Sequence, residues 1–144
     1  MHLRFSSMFY STQLVDIFSY EVPNISKDFY SLNNNSIIVY NFNSIFNQDR
    51  YFFFCSNTKK VDSLQQQSIS SISEIFMAAN WLERENSELH GVSFSGKKDL
   101  RNLLLQYGDS SFPFQKSFPS VGLKEMFYNP VKDTLIQSQV SLQI

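Results

Sequence analysis

The spacing of hydrophobic and polar positions changes along the chain and predicts both helices and strands. Apolar residues within 14–18 are spaced nearly as on one face of a helix, so a first helix is expected inside residues 1–20. Residues 37–42 are mostly β-branched and aromatic, which predicts a strand. The polar residues 47–49 then predict a hairpin turn to a second strand at 51–55.

Both alternating sets of the second strand are apolar. One set is Tyr51, Phe53 and Cys55, and the other is Phe52 and Phe54. This pattern favours a central strand that is covered on both faces, and the alternative is a strand with one face against a partner protein. Residues 59–70 have no periodic pattern and are expected to form a loop.

The second half begins with the clearest helical pattern. Ser71 and Glu74 have the spacing of a capping box, and Gly91 is a typical helix end. Between them an amphipathic stripe is formed by Ile75, Ala79, Leu82, Asn86 and Leu89. We therefore expect a long helix from residue 71 to 91, followed by a shorter one over 98–107.

The last part of the chain has proline and aromatic residues in place of helical periodicity. Phe112, Phe114 and Phe118 flank prolines, which favour extended backbone. The fold class predicted is α+β. Residues 1–91 would form one small domain with an antiparallel or mixed sheet, a hairpin and flanking helices, and residues 92–144 a short helix and an extended C-terminal arm.

Length and charge limit the class of protein. A chain of 144 residues with 42% hydrophobic residues suffices for one core, and its apolar runs are too short to span a bilayer. The net charge is −1 and no basic block occurs, so nucleic-acid binding by charge is not expected. Phe occurs 15 times while Ala and Arg are scarce, which is typical of an AT-rich, organellar genome. We expect synthesis inside the organelle rather than import.

Residues with catalytic or ligand-binding chemistry are few. The single Cys55 has no Cys-x-x-Cys partner and is expected to be a buried apolar cysteine. The glycines form no nucleotide-binding motif. Glu88 and His90 are two residues apart and would diverge on a helix, so neither a metal site nor a catalytic pair is predicted. A small enzyme that uses these two residues remains the alternative from another class.

A dense group of charges marks the long helix. It consists of Glu83, Arg84, Glu85 and Glu88, with Arg84 and Glu88 spaced to pair. Such a group is usually a solvated helix face that contributes little stability. The alternative is an ionic patch at a subunit interface, where charges would be desolvated. Composition does not distinguish the two.

Three motifs in the second half resemble a known family. Residues 79–85, Ala-Asn-Trp-Leu-Glu-Arg-Glu, resemble its A-N-W-x-E-R-E motif, and 97–104 resemble its H-P-D-L-R-R-I-L motif with Lys97-Lys98 in place of His-Pro. Residues 112–122 resemble F-P-L-R-K-D-F-P-L-x-G, with Gln115 and Ser117 as departures. The family is the thirty-kilodalton subunit of respiratory complex I, which bacteria also have in their NADH:quinone oxidoreductase.

This resemblance implies a small α+β domain with a C-terminal arm that lies on neighbouring subunits. It implies a non-catalytic subunit without cofactors or metal, packed on the forty-nine-kilodalton subunit of the quinone-reducing module at the matrix side of the mitochondrial inner membrane. Flavin and iron-sulfur clusters would belong to other subunits. An organellar RNA-binding or ribosomal protein is the further alternative.

Interface roles are expected for residues in the three motifs. On the helix they are Trp81, Glu83, Arg84, Glu85 and Glu88, of which the charged residues would fix its register. Asp99 and Arg101 would anchor the loop to the second helix. The arm would dock through Phe112, Phe114, Lys116 and Phe118.

Overall fold

The computed structural model describes residues 12–22, 35–57 and 68–141. In this part of the chain the fold is α+β, as expected, with mostly antiparallel strands and one helix. In chain order the elements are β1 Gln13–Val22, β2 Asn35–Asn43, β3 Arg50–Asn57, β4 Ile69–Ser70, α1 Ala79–His90, β5 Phe94–Ser95, β6 Lys124–Asn129 and β7 Thr134–Gln139. No helix among these residues is long and apolar enough to cross a membrane.

The main sheet has the order β1-β2-β3, with all neighbours antiparallel. The predicted hairpin is confirmed, since β2 pairs with β3 from Ser36 with Asn57 to Asn43 with Arg50. One face of the sheet forms the hydrophobic core together with residues around α1. The core consists of Leu14, Ile17, Ile38, Tyr40, Phe42, Phe76, Ala79, Val92 and Phe94.

The first predicted helix is wrong over residues 13–20, because these residues belong to β1. The part of that prediction at residues 1–11 lies outside the described residues. A β-bulge interrupts the pairing between Leu14 and Asp16. The extra residue, Val15, brings Leu14 and Ile17 onto the same buried face although they are three positions apart. The bulge therefore gives this strand an apolar spacing of three residues, which is typical of a helix and is not found in a regular strand.

Among the described strands, β3 lies at the edge of the sheet and not at its centre as predicted. Phe52 and Phe54 are exposed on it, while Tyr51 and Phe53 pack against the core. Cys55 is also exposed, so the prediction of a buried cysteine is wrong. The central strand of the sheet is β2, which pairs with a neighbour on each side.

The long helix is shorter than predicted. It begins at Ala79, not at Ser71, and it ends as predicted at Gly91, whose backbone has φ 73° and donates its N–H to the Ser87 carbonyl. The capping box at Ser71 does not form, because the Ser71 hydroxyl binds the Glu83 carboxylate instead. Residues 71–78 are a series of turns that lead into the helix.

Two further predictions differ from the structure. Residues 98–107 form bends and turns, not a helix. In the predicted loop 59–70, residues 59–67 lie outside the described part of the chain, and Ile69–Ser70 form β4, which pairs in parallel with β5. The domain division at residue 91 stays a prediction; Val92 and Phe94, just after it, belong to the same core as the main sheet.

The C-terminal region is helix-poor, as predicted, and its strands β6 and β7 form an antiparallel hairpin. Most side chains of both strands are exposed. Asp133 lies in the turn with φ 51°, and its carboxylate accepts a hydrogen bond from the Tyr128 hydroxyl. The C-terminal arm therefore includes a hairpin in addition to extended chain.

Candidate functional site

The charged residues of α1 are the candidate site, and most of them are buried. Glu83, Arg84 and Glu88 are each less than 9% exposed, as is Asn86 on the same helix. The interpretation of these charges as a solvated helix face is therefore wrong. We call Glu83, Arg84, Glu88 and Lys97 the ionic cluster. Because a buried charge is costly without partners, the contacts of each of these side chains show what the ionic cluster does.

Glu83 joins the segments on both sides of the helix. Its carboxylate accepts hydrogen bonds from the Ser71 hydroxyl at 2.6 Å and from the Ile72 N–H at 2.8 Å. Lys97, which follows β5, reaches the same carboxylate at 3.3 Å and also donates to the Asn80 carbonyl at 2.8 Å. Both charged side chains are almost fully buried, and desolvation lowers the pKa of Lys97 although Glu83 opposes this. Neither Ser71 nor Lys97 was predicted as a site residue.

Arg84 holds the beginning of the loop that follows β5. Its guanidinium donates from Nε to the Arg101 carbonyl at 2.8 Å and from Nη2 to the Asn102 carbonyl at 3.4 Å. It also lies 3.5 Å from Asp99, which binds the exposed Arg101 at 2.9 Å. Hydrogen bonds from Arg101, followed by the nearby positive charges, hold the pKa of Asp99 well below its usual range.

Glu88 binds the next part of the same loop. Its carboxylate accepts the N–H groups of Leu103 at 2.7 Å, Leu104 at 3.0 Å and Leu105. Desolvation acts to raise its pKa, but the three N–H groups and the charge of Arg84 together outweigh it and lower the pKa. Arg84 and Glu88 thus bind adjacent stretches of one loop.

These contacts explain why residues 98–107 are not helical. A helix over this range would direct its N–H and C=O groups along its own axis. Here the carbonyls of residues 101 and 102 accept hydrogen bonds from Arg84, and the N–H groups of residues 103–105 donate to Glu88. The side chains of α1 therefore replace the backbone hydrogen bonds that the predicted helix would have made. Asp99 and Arg101 cannot anchor a second helix, because the structure has none there.

Asn86 is a further site residue that sequence reasoning missed. Its Nδ2 donates to the Ile17 carbonyl of β1 at 2.6 Å and to the Leu82 carbonyl at 2.8 Å, and its Oδ1 accepts from the Ser19 hydroxyl at 2.9 Å. The bonds to Ile17 and Ser19 fix the helix against the edge of the main sheet. The sequence signal for this role was the position of an asparagine within the apolar stripe of α1.

Three of the four predicted docking residues of the arm contact either the end of α1 or the strand β1. The Phe114 ring packs edge-on against His90 at 5.3 Å, and its N–H donates to the Leu89 carbonyl at 3.1 Å. The Phe112 ring lies against Gly91, where a Cβ atom would come within 3.0 Å of it. The Lys116 N–H donates to Glu21 of β1 at 2.9 Å. The arm therefore packs on its own domain here.

The other predicted residues lie at the edge of the cluster or on the surface. Trp81 is exposed, and the guanidinium of Arg84 lies 5.7 Å from the centre of its ring. Glu85 and Phe118 are half-buried. The interface roles of these three side chains stay predictions.

The structure gives Glu88 and His90 separate tasks. The Glu88 carboxylate is held by loop N–H groups, whereas His90 packs against Phe114 and has a pKa lowered by desolvation. Within the described residues no group of three or more His, Cys, Asp or Glu side chains could hold a metal ion. A cleft of about 160 Å³ opens between α1 and the loop, but Arg84, Lys97 and Glu88 on its wall already bind groups of this chain.

The fold and the cluster define a small α+β domain whose charged helix organises the loops around it. Comparison with known proteins gives the family. The family model of the respiratory-chain NADH dehydrogenase 30 Kd subunit matches residues 2–124, so the chain belongs to this family and the resemblance seen in the sequence is confirmed.

Individual relatives agree. NADH-ubiquinone oxidoreductase subunit 9 of Paramecium primaurelia is 40% identical over 113 residues, which are 78% of this chain and 50% of that protein. An NADH-quinone oxidoreductase subunit of Ruegeria pomeroyi is 32% identical over 137 residues, which are 95% of this chain and 62% of that protein. The chain thus spans about half to three-fifths of the length of these curated relatives.

Proposed function

We propose that this chain is a non-catalytic structural and assembly subunit of proton-pumping NADH:ubiquinone oxidoreductase. It lies in the quinone-reducing module of the hydrophilic arm and packs chiefly on the forty-nine-kilodalton subunit. It binds no cofactor itself, and flavin and iron-sulfur clusters are held by other subunits. Family membership supports the choice of enzyme, since the names of its relatives contain NADH-ubiquinone and NADH-quinone oxidoreductase.

The observation that carries the proposal of a structural subunit is the exposed apolar hairpin of β6 and β7. Met126 is 66% exposed, Tyr128 57% and Leu135 71%. A two-stranded hairpin alone is marginally stable in water, and apolar groups collected on a surface mark contacts with other proteins. A neighbouring subunit would cover these side chains and stabilise the hairpin.

The ionic cluster supports a non-catalytic role. Its charged groups bind backbone N–H and C=O groups of this chain or one another, and these contacts hold the loops in their conformation. A general acid or base must instead reach the proton that it transfers on a substrate. The cluster is therefore suited to presenting the loop surface to a neighbour.

The proposed location is the matrix side of the mitochondrial inner membrane. The amino-acid composition, rich in Phe and poor in Ala and Arg, is typical of an AT-rich organellar gene. The name of the Paramecium relative contains NADH-ubiquinone oxidoreductase. The chain would reach the membrane through its partner subunits in the peripheral arm.

The test of the proposed function is where the chain migrates among native complexes. Source membranes are solubilised gently, complexes are separated on a native gel, and the chain is located by mass spectrometry relative to in-gel NADH dehydrogenase staining. Co-migration with a very large NADH-oxidising band is the expected result. Migration at low mass, away from that band, would refute the proposal.

A variant tests the assembly role. Arg84→Ala removes the guanidinium that holds residues 101 and 102, so less assembled complex is expected, with unchanged electron transfer in the complex that does form. Lys98→Ala is the control, because it removes an exposed cation of the same loop, whose ion pair is with the exposed Glu74. Normal abundance of complex combined with altered quinone kinetics would contradict a purely structural role.

A further inference from the structure

The main sheet has a second face, opposite the core, whose side chains form rows across the strands. We call this the outer sheet face. The pairing of the strands gives three of its rows as Phe18, Val39 and Phe54; Tyr20, Ile37 and Ser56; and Asp16, Asn41 and Phe52. A fourth and entirely polar row, Gln13, Asn43 and Arg50, lies beyond the Asn41 row. Since side chains directly opposite one another on neighbouring strands are in contact, each row is continuous across the sheet.

Large apolar side chains dominate the outer sheet face and remain exposed. Phe54 is 66% exposed, Phe52 50% and Phe18 43%, whereas Val39 between them is buried. Aromatic side chains collected on one face of a sheet are typical of a surface that another protein covers. The edge position of β3 leaves this face accessible from the side.

A buried polar group lies on the central strand β2, where the apolar rows of this face meet its polar row. Asn41 is only 9% exposed, and its Oδ1 has no hydrogen-bond partner among the described residues. Buried polar atoms in folded proteins are almost always hydrogen-bonded, so an unpaired amide oxygen at this position indicates a donor from outside. The flanking rings of the face would exclude water from that bond once the surface is covered.

The charge beside Asn41 indicates which donor fits. Asp16 is the direct neighbour of Asn41 on β1, and its Oδ1 accepts the Ile17 N–H at 2.8 Å. A carboxylate next to an amide oxygen favours a cationic N–H donor, such as that of a lysine or an arginine.

We propose that the outer sheet face is a subunit interface of the complex, occupied by a different protein subunit. That subunit presents apolar side chains to Phe18 and Phe54 and one cationic N–H donor to Asn41. This inference rests on the proposed function, because it takes the partner to be a subunit of the same enzyme. It is independent of the hairpin of β6 and β7, which lies in a separate sheet.

The first experiment compares surface accessibility in the purified complex and in the purified chain. Hydroxyl-radical oxidation is read by mass spectrometry at Tyr20, Phe52 and Phe54. The expected result is oxidation in the free chain and at least about fivefold protection in the complex. Met77, which is 89% exposed and outside this face, serves as the internal reference.

The second experiment uses Asn41→Leu, which should not destabilise the free chain but should reduce the amount of assembled complex. In the free chain it removes an unpaired buried amide oxygen, so the melting temperature is expected to stay the same or rise. In the complex it leaves the partner's cationic donor without an acceptor, so about a tenfold loss of assembled complex is expected. Phe54→Lys should also reduce assembly, and Met77→Lys, which adds the same charge at an exposed apolar residue elsewhere, should not.

The outcomes separate this inference from the proposed function. A chain that is absent from the NADH-oxidising complex refutes both. A chain that is present in the complex, with Tyr20, Phe52 and Phe54 oxidised as readily as in the free chain, refutes only the interface. Protection already present in the free chain would show that another segment of the same chain covers the face. Protection that increases with the concentration of the free chain would show that a second copy covers it. Either result would overturn the inference.

Discussion

Replacing Glu88 with glutamine gives a direct measure of how strongly α1 controls the loop that follows β5. In the native chain both oxygens of the buried carboxylate accept N–H groups, from Leu103, Leu104 and Leu105. Glutamine has nearly the same shape but only one accepting oxygen, and its NH₂ group would face N–H donors. At least one partly buried N–H group of the loop therefore loses its acceptor.

The expected magnitude follows from these contacts. An unpaired buried N–H group costs about 1–3 kcal/mol, and the remaining hydrogen bonds lose the contribution of the negative charge. We expect Glu88→Gln to lower the free energy of unfolding by about 2–4 kcal/mol, a large part of the roughly 5–15 kcal/mol that is typical of a domain. For a domain of this size the melting temperature should fall by roughly 6–12 °C.

Thermal unfolding and hydrogen exchange together test the prediction. The N–H groups of residues 103–105 should exchange slowly in the native chain although they lie outside any helix or strand, and about thirtyfold faster or more in Glu88→Gln. Glu85→Gln is the matched control, because Glu85 is a half-buried acid on the same helix and is not bound to these N–H groups. Rapid exchange at residues 103–105 in the native chain, or equal effects of the two substitutions, would refute the reasoning.

Three further predictions concern the same region. Folding lowers the pKa of Glu88 from its usual 4.5, so the contribution of this carboxylate to stability is fully present above pH 4.5 and is lost as the pH falls through its pKa in the folded state. Urea unfolding between pH 6 and pH 3 should show this loss, and the free energy of unfolding should change less steeply with pH in Glu88→Gln. Lys97→Met should cost about 3–5 kcal/mol by leaving Glu83 buried without its cation, and addition of Glu83→Gln should recover part of that loss in a double-mutant cycle. Gly91→Ala should lower the free energy of unfolding by about 1–2 kcal/mol, since alanine disfavours φ 73° and its Cβ would meet the Phe112 ring; an unchanged melting temperature would contradict this.

Much of the fold could be predicted where neighbours along the chain determine structure. The hairpin of β2 and β3 followed from two apolar runs and the polar turn between them, and the end of α1 followed from Gly91. The same local approach failed at β1, because a bulge at Val15 gave a strand the apolar spacing of a helix. Exposure on β3 was also missed, since an apolar run does not reveal whether the strand lies at the edge of its sheet.

The candidate site was predicted in part. Glu83, Arg84 and Glu88 were recognised as one group of charges, but whether they were solvated or buried stayed open. Their partners could not be found by spacing, because Glu83 meets Lys97 and Glu88 meets Leu103 across segments that fold back on the helix. Asn86 was visible only as a polar residue in an apolar stripe.

The sequence by itself determined the family, the α+β class and those elements whose signals lie within a few residues, because motif order, turn residues and apolar period are properties of neighbouring positions. Only the tertiary structure decided which charges are buried and what they bind. The loop at 101–105 shows the physical reason: its backbone groups are satisfied by Arg84 and Glu88, which lie more than a dozen residues away along the chain. Local propensity favours a helix there, and hydrogen bonds from a distant helix override it.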